Sequence, residues 1–316
     1  MSSKHLVHPE LLPGLELIPT RDIDARRMEM LREAGLARPA VREVPDVARE
    51  ERLIPGPPDA PQVRVLIYRP KAARVSAPAI LHIHGGGYIM GAAEGSDGAN
   101  RLLASDLGCV IVSVDYRLAP ETPFPGPVED CYAALDWLHA SAGEVGVDAA
   151  RIAIKGESAG GGLAAGLAIL ARDRREVPIV LQVLTYPMID DRPAADPHPF
   201  TGEFIWTAKS NRFGWESLLG HPPGRDGVSP YAAAARLEDF ADLAPTFIAT
   251  GALDLFLEEN LEYARRLTRG GVPTELHVYP GAYHGFELAG ETAISRRYSQ
   301  DYRQALGVAF GVAGQG

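Results

Sequence analysis

The chain of 316 residues carries 31 Lys and Arg against 41 Asp and Glu, a formal charge of −10 at pH 7. Such an acidic field repels phosphate backbones and speaks against nucleic-acid binding. Hydrophobic residues at 46% and charged residues at 23% exclude a disordered chain.

From the N-terminus, residues 1–10 lack the apolar run of about 7–15 residues that an export signal requires, so a cytoplasmic protein is expected. Residues 22–35 are strongly helix-forming, with Ile23 and Leu31 at helical spacing and no sequence neighbour to pack against. A proline-rich stretch, 54–61, marks a turn into a different region. Beyond it, 62–68 reads as a half-exposed strand. The compact apolar runs 79–84, 109–114, 151–154, 179–185 and 246–250 read as strands buried on both faces of a mostly parallel sheet. Residues 128–139, 159–172, 258–269 and 292–312 read as helices, and 274–279 as a final strand. Strands alternating with helices predict an α/β protein built from βαβ units. The stretch 159–171 is too short to cross a bilayer and suits a buried helix. Residues 190–231 break the rhythm: they show no strand character and are rich in aromatics, including Phe204, Trp206 and Phe213, which suggests an inserted lid. Cys109 and Cys131 form no CxxC pair, so neither a disulfide framework nor a cysteine-based zinc site is expected.

The sharpest chemical signal is Gly156-Glu157-Ser158-Ala159-Gly160 between an apolar strand and a helix-forming run. That is the context of a nucleophile elbow, where small neighbours let a serine sit on a tight turn. Gly160-x-Gly162-x-x-Ala165 also fits a loose dinucleotide loop, but no acidic residue ends the next strand. A serine needs a base and an acid. Asp254, just past the 246–250 strand, is the preferred acid over Asp190, Asp191 and the upstream Asp242. His284, in a Gly-flanked loop after the last strand, is preferred as base over His198, His221 and His277. His84-Gly85-Gly86-Gly87, after a buried strand, offers amides that can approach a developing oxyanion. His82 and His84 share a strand face, but two ligands without a third do not make a metal site.

These motifs, with Asp115-Tyr-Arg-Leu-Ala-Pro-Glu121, Tyr186-Pro187 and His284-Gly-Phe286, fall in one order over about residues 60–290. The chain resembles the hormone-sensitive-lipase-like branch of the α/β-hydrolases, whose bacterial members are carboxylesterases. The resemblance implies an α/β-hydrolase fold with about eight strands, Ser158 as nucleophile, His284 as base and then acid, and Asp254 as its orienter. It implies an oxyanion hole from the amides of Gly86, Gly87 and Ala159, with His84 and Gly85 bracing that loop and Glu157 supporting the elbow. It further implies a catalytic core of residues 56–188 and 232–316. Residues 1–55 join the insertion 189–231 as a cap. Expected pocket residues are Tyr88, Tyr186, Phe204, Trp206, Phe213, Leu255 and Phe286, enclosing short-to-medium acyl esters. No cofactor or metal is implied, the partner being a small-molecule ester, and look-alikes commonly form a homodimer through the last strand and helix. Two departures stand out: Asp254-Leu-Phe replaces the usual Asp-Pro-Leu, and Gly160-Gly-Gly162 replaces Gly-Gly-Asn. Amide or N-acetyl hydrolysis on the same residues, and a binding protein that has lost turnover, are the rival readings.

Overall fold

The computed structural model describes residues 2–18, 20, 22–36, 44–71, 76–193 and 198–312. Parts of the expected cap, 37–43 and 194–197, therefore lie outside the described residues. Eight strands form one sheet: β1 Val47–Ile54, β2 Val63–Pro70, β3 Ala77–Ile83, β4 Val110–Asp115, β5 Val147–Glu157, β6 Leu181–Thr185, β7 Thr246–Gly251 and β8 Thr274–Tyr279. Their order is β1-β2-β4-β3-β5-β6-β7-β8. β2 is antiparallel to both β1 and β4, and every other pairing is parallel. The helices are α1 Leu12–Leu17, α2 Ala25–Leu36, α3 Asp97–Leu107, α4 Gly126–Ala140, α5 Ala142–Val145, α6 Ala159–Arg174, α7 Ala208–Leu219, α8 Leu257–Arg269 and α9 Ala293–Ala309.

Side chains alternate across a strand, so the central strands feed two cores. Leu81, Ile83, Ile152 and Ile154 join α4, α6 and α8 on one face. Ile80, Ile111, Ala153 and Val183 join α3 and α9 on the other. This two-sided burial is why these strands read as continuous apolar runs. Residues 47–54 correct the sequence reading, which grouped them with the N-terminal cap: they form β1, paired along its full length with β2. Only Val47 and Ile54 of β1 are buried, and the charged Arg49-Glu-Glu-Arg52 run blunts the sheet edge. That run hides the strand from a pattern search.

The chain leaves β3 toward β4 on one side and leaves β5 toward β6 on the other. Ile83 and Gly156 are partners at the carboxyl ends of these adjacent strands, so the crevice at the switch point opens above them. The apolar face of α2 finds its partner far away: Ile23 and Met28 enter the same core as Trp206 and Trp215. Hydrogen bonds bind the two segments together, from Ile23 N to Ser210 Oγ (3.0 Å), Ile205 N to Thr20 Oγ1 (2.8 Å) and Thr207 Oγ1 to Asp22 (2.8 Å).

Beneath the crevice lies a buried charged chain. Lys155 and Glu157 share one face of β5 and pair with each other. Glu157 Oε2 also accepts from His82 Nε2 at 3.0 Å, and His82 Nδ1 accepts from Asn100 at 3.2 Å. Burial pushes the Glu157 carboxyl up, but the Lys155 ammonium and His82 overcome this and hold it well below the ordinary carboxylate range. Glu157→Gln strands a buried ammonium and is expected to cost about 3–5 kcal/mol in urea unfolding at neutral pH, with Lys155→Met in that background restoring part of it. The folded carboxyl titrates below the unfolded one, so its stabilisation is complete above about pH 4.3 and fades as the pH falls further. Glu157→Gln should therefore flatten the dependence of stability on pH between about pH 5 and 3.

Candidate active site

β5 ends in a turn so tight that Ser158 adopts φ 56° and ψ −121° before α6 begins at Ala159. A side chain at Gly160 would strike the carbonyls of Ile83 and His84, so only glycine lets α6 start against the end of β3. The strained serine is held by its neighbours. Its N–H donates to Thr185 O (2.9 Å), and its carbonyl accepts from Gly162 N (2.9 Å) and Met188 N (3.0 Å).

Asp254 follows β7 and is fully buried; its Oδ1 accepts from Phe256 N at 2.9 Å, which closes the Asp254-Leu-Phe turn. His284 follows β8. Its Nδ1 lies 2.9 Å from Asp254 Oδ2, and its Nε2 lies 2.9 Å from Ser158 Oγ. A carboxylate only accepts, so Nδ1 carries the proton and Nε2 is left to accept from the serine hydroxyl. In this arrangement a serine can lose its proton as it attacks a carbonyl. Tyr186 and Phe256 enclose the imidazole, with ring centroids 4.6 and 5.2 Å away. The rival acids and histidines are engaged elsewhere: Asp191 with Arg236, Asp190 with Arg192, and His277 with Glu275.

The loop after β3 carries Gly86 at φ +126° and Gly87 at φ +63°. Among the described residues, no backbone carbonyl accepts from the amides of Gly86 and Gly87. Ala159, at the first position of α6, belongs to the helix turn whose N–H groups lack partners within the helix. His84, at the start of this loop, stacks on Tyr116 (4.3 Å) and donates from Nδ1 to Gly85 O (2.8 Å), and burial pushes its pKa down. Tyr116 in turn donates to His84 O at 2.9 Å. From α2, Arg32 reaches Ile89 O (2.6 Å), Ala119 O (2.7 Å) and Glu121, tying the N-terminal segment to both motifs. The metal reading of His82 and His84 gives way to these contacts: one imidazole is bonded to Glu157 and the other is stacked.

Ser158 and His284 open into a cavity of about 680 Å³. Of the seven expected pocket residues, Tyr186 and Trp206 line it. Tyr88, Phe204, Phe213, Leu255 and Phe286 do not, because packing claims them. Tyr88 is fully buried against Trp215 with its hydroxyl on Met188 O, Phe204 packs on Tyr283, and Phe286 lies between Tyr279 and Tyr298. Phe213 and Leu255 pack against the core that contains α6. The sequence reading missed Met90, Lys155, Ile205, Glu287, Tyr298 and Tyr302 as lining residues. Lys155 left a legible signal, a charge two residues from Glu157 in an otherwise apolar strand. Tyr298 and Tyr302 sit on α9 and left none.

Among the described residues, no helix is long and apolar enough to cross a membrane. A family model described as the alpha/beta hydrolase fold matches residues 80–288. The chain is 34% identical over 297 residues to esterase LipI of Mycobacterium tuberculosis, covering 90% of this chain and 88% of that protein. It is 34% identical over 255 residues to carboxylesterase NlhH of the same species, covering 77% and 76%. A solved structure of a bacterial heroin esterase superposes with a TM-score of 0.90 at 38% identity, over 98% of this chain and 99% of that one. With its eight-stranded sheet, and with the matched region running from β3 to just beyond His284, the chain belongs to the alpha/beta hydrolase fold family, in its hormone-sensitive-lipase-like branch.

Proposed function

We propose that the protein is a serine carboxylesterase that hydrolyses short-to-medium acyl esters through an acyl-enzyme. The observation that carries this reading is the unbroken chain Ser158 Oγ, His284 Nε2, His284 Nδ1, Asp254 Oδ2, with 2.9 Å at each of its two links. Ser158 attacks the ester carbonyl while His284 takes its proton, and His284 returns that proton to the departing alkoxide. Water then attacks the acyl-enzyme by the reverse relay. Asp254 keeps the imidazole in the tautomer that can accept and stabilises the imidazolium that forms. The amides of Gly86, Gly87 and Ala159 receive the tetrahedral oxyanion, a role supported by the free donors of the glycine loop and the helix start. The residues around 1–36 and 198–219 form a cap, a reading supported by the hydrogen bonds that join them. Trp206 brings this cap against the site: a side chain at Gly87 would strike its indole, which also lies 6.3 Å from the His284 ring.

Ser158→Ala should leave the unfolding midpoint unchanged and lower kcat on p-nitrophenyl butyrate by about four to six orders of magnitude. Retained turnover, or failure of the wild-type protein to be labelled by an organophosphonate, removes the assignment. Trp206→Ala opens the covered side of the cavity. It should raise kcat/KM for a decanoyl ester relative to a butyryl ester by roughly tenfold, read from a graded panel of p-nitrophenyl esters.

A further inference from the structure

One carboxyl group on the cavity wall has no part in the hydrolysis. Glu287, three residues beyond His284, lines the same cavity as Ser158. One of its oxygens accepts from the Tyr186 hydroxyl, while the other, Oε2, is buried with no hydrogen-bond partner among the described residues. A buried oxygen left unpaired is costly, and a donor brought to this wall of the cavity would compensate it. The direct ion pairs of the nearby cations go elsewhere, Lys155 to Glu157 and Arg49 to Asp97 at 2.9 Å, so Lys155 acts on Glu287 only through space. Burial pushes the Glu287 carboxyl up against the pull of the Tyr186 hydroxyl. The rest of this wall is aromatic. Tyr186, Tyr298 and Tyr302 present rings to the cavity, and the Lys155 ammonium lies 5.2 Å from the Tyr302 centroid, so a ring here already accepts a cation.

Resting on the esterase reading, we infer that the preferred substrates are esters whose leaving alcohol carries an ammonium group, held by Glu287 and the tyrosines beside it. The side of the substrate follows from the proton transfer. His284 must protonate the leaving oxygen, so the alcohol departs alongside the imidazole. The Tyr186 ring packs on that imidazole at 4.6 Å, and its hydroxyl leads to Glu287.

The test compares isosteres that differ only in charge. Binding of choline and of 3,3-dimethylbutanol is measured by calorimetry on the wild-type protein and on Glu287→Gln. kcat/KM is measured on the acetates of the same two alcohols. The wild type should bind choline roughly tenfold more tightly and favour its acetate by a similar factor. Glu287→Gln should bring both ratios close to one. Ratios taken within one variant cancel any general loss of activity. Equal binding of the two alcohols by the wild type overturns the inference, as does a cation preference that survives Glu287→Gln. Tight choline binding without turnover of either acetate sinks the esterase reading and leaves the cation site standing.

Discussion

The site depends on one backbone conformation. Ser158 occupies a region of φ and ψ that a side chain normally avoids, at a cost of order 1–3 kcal/mol. The surrounding structure imposes it through the amide bond to Thr185 O and the two amides that reach the serine carbonyl. Only in that conformation does the hydroxyl stand above the sheet while the chain turns at once into α6. A relaxed serine would displace either the hydroxyl or the helix start, and with them the neighbouring amide of Ala159.

The surroundings of this turn are unusually polar for a sheet interior. Lys155, Glu157, His82 and Asn100 form a continuous buried chain under β3 and β5. Such a network is weak evidence of stability in itself, since apolar side chains of the same volume could replace it. Its effect here is geometric. It joins the residue before Ser158 to the strand that leads into the glycine loop, so the serine turn and that loop share one support.

The N-terminal segment is bound into the same arrangement. Arg32 holds the carbonyl of Ile89, just after the glycine loop, and that of Ala119, and Trp206 rests on Gly87. Residues from distant parts of the chain thus shape one cavity, whose wall is apolar near Trp206 and charged near Glu157 and Glu287. That asymmetry is the physical basis for expecting one end of a substrate to differ in polarity from the other.

Much of this was readable from the residue order alone. Buried parallel strands declare themselves as apolar runs, and Gly156-x-Ser158-x-Gly160, Asp254 and His284 follow strand ends, where a parallel sheet gathers its loops on one edge. β1 escaped notice because an edge strand faces water with charged residues. Five of the seven expected pocket residues were misread for a different reason. Phe204, Phe286 and Tyr88 look like pocket aromatics by composition, yet core and pocket draw on the same residue types. Whether a ring faces a cavity or another ring is decided by packing between separate elements, as where Tyr88 meets Trp215 or Phe204 meets Tyr283. The same packing set Glu287 behind Tyr186 and placed Tyr298 and Tyr302 of α9 on the wall of the cavity. The candidate reacting groups are written in short motifs, because their identity is local chemistry; what lines the cavity depends on long-range contacts that no local periodicity encodes.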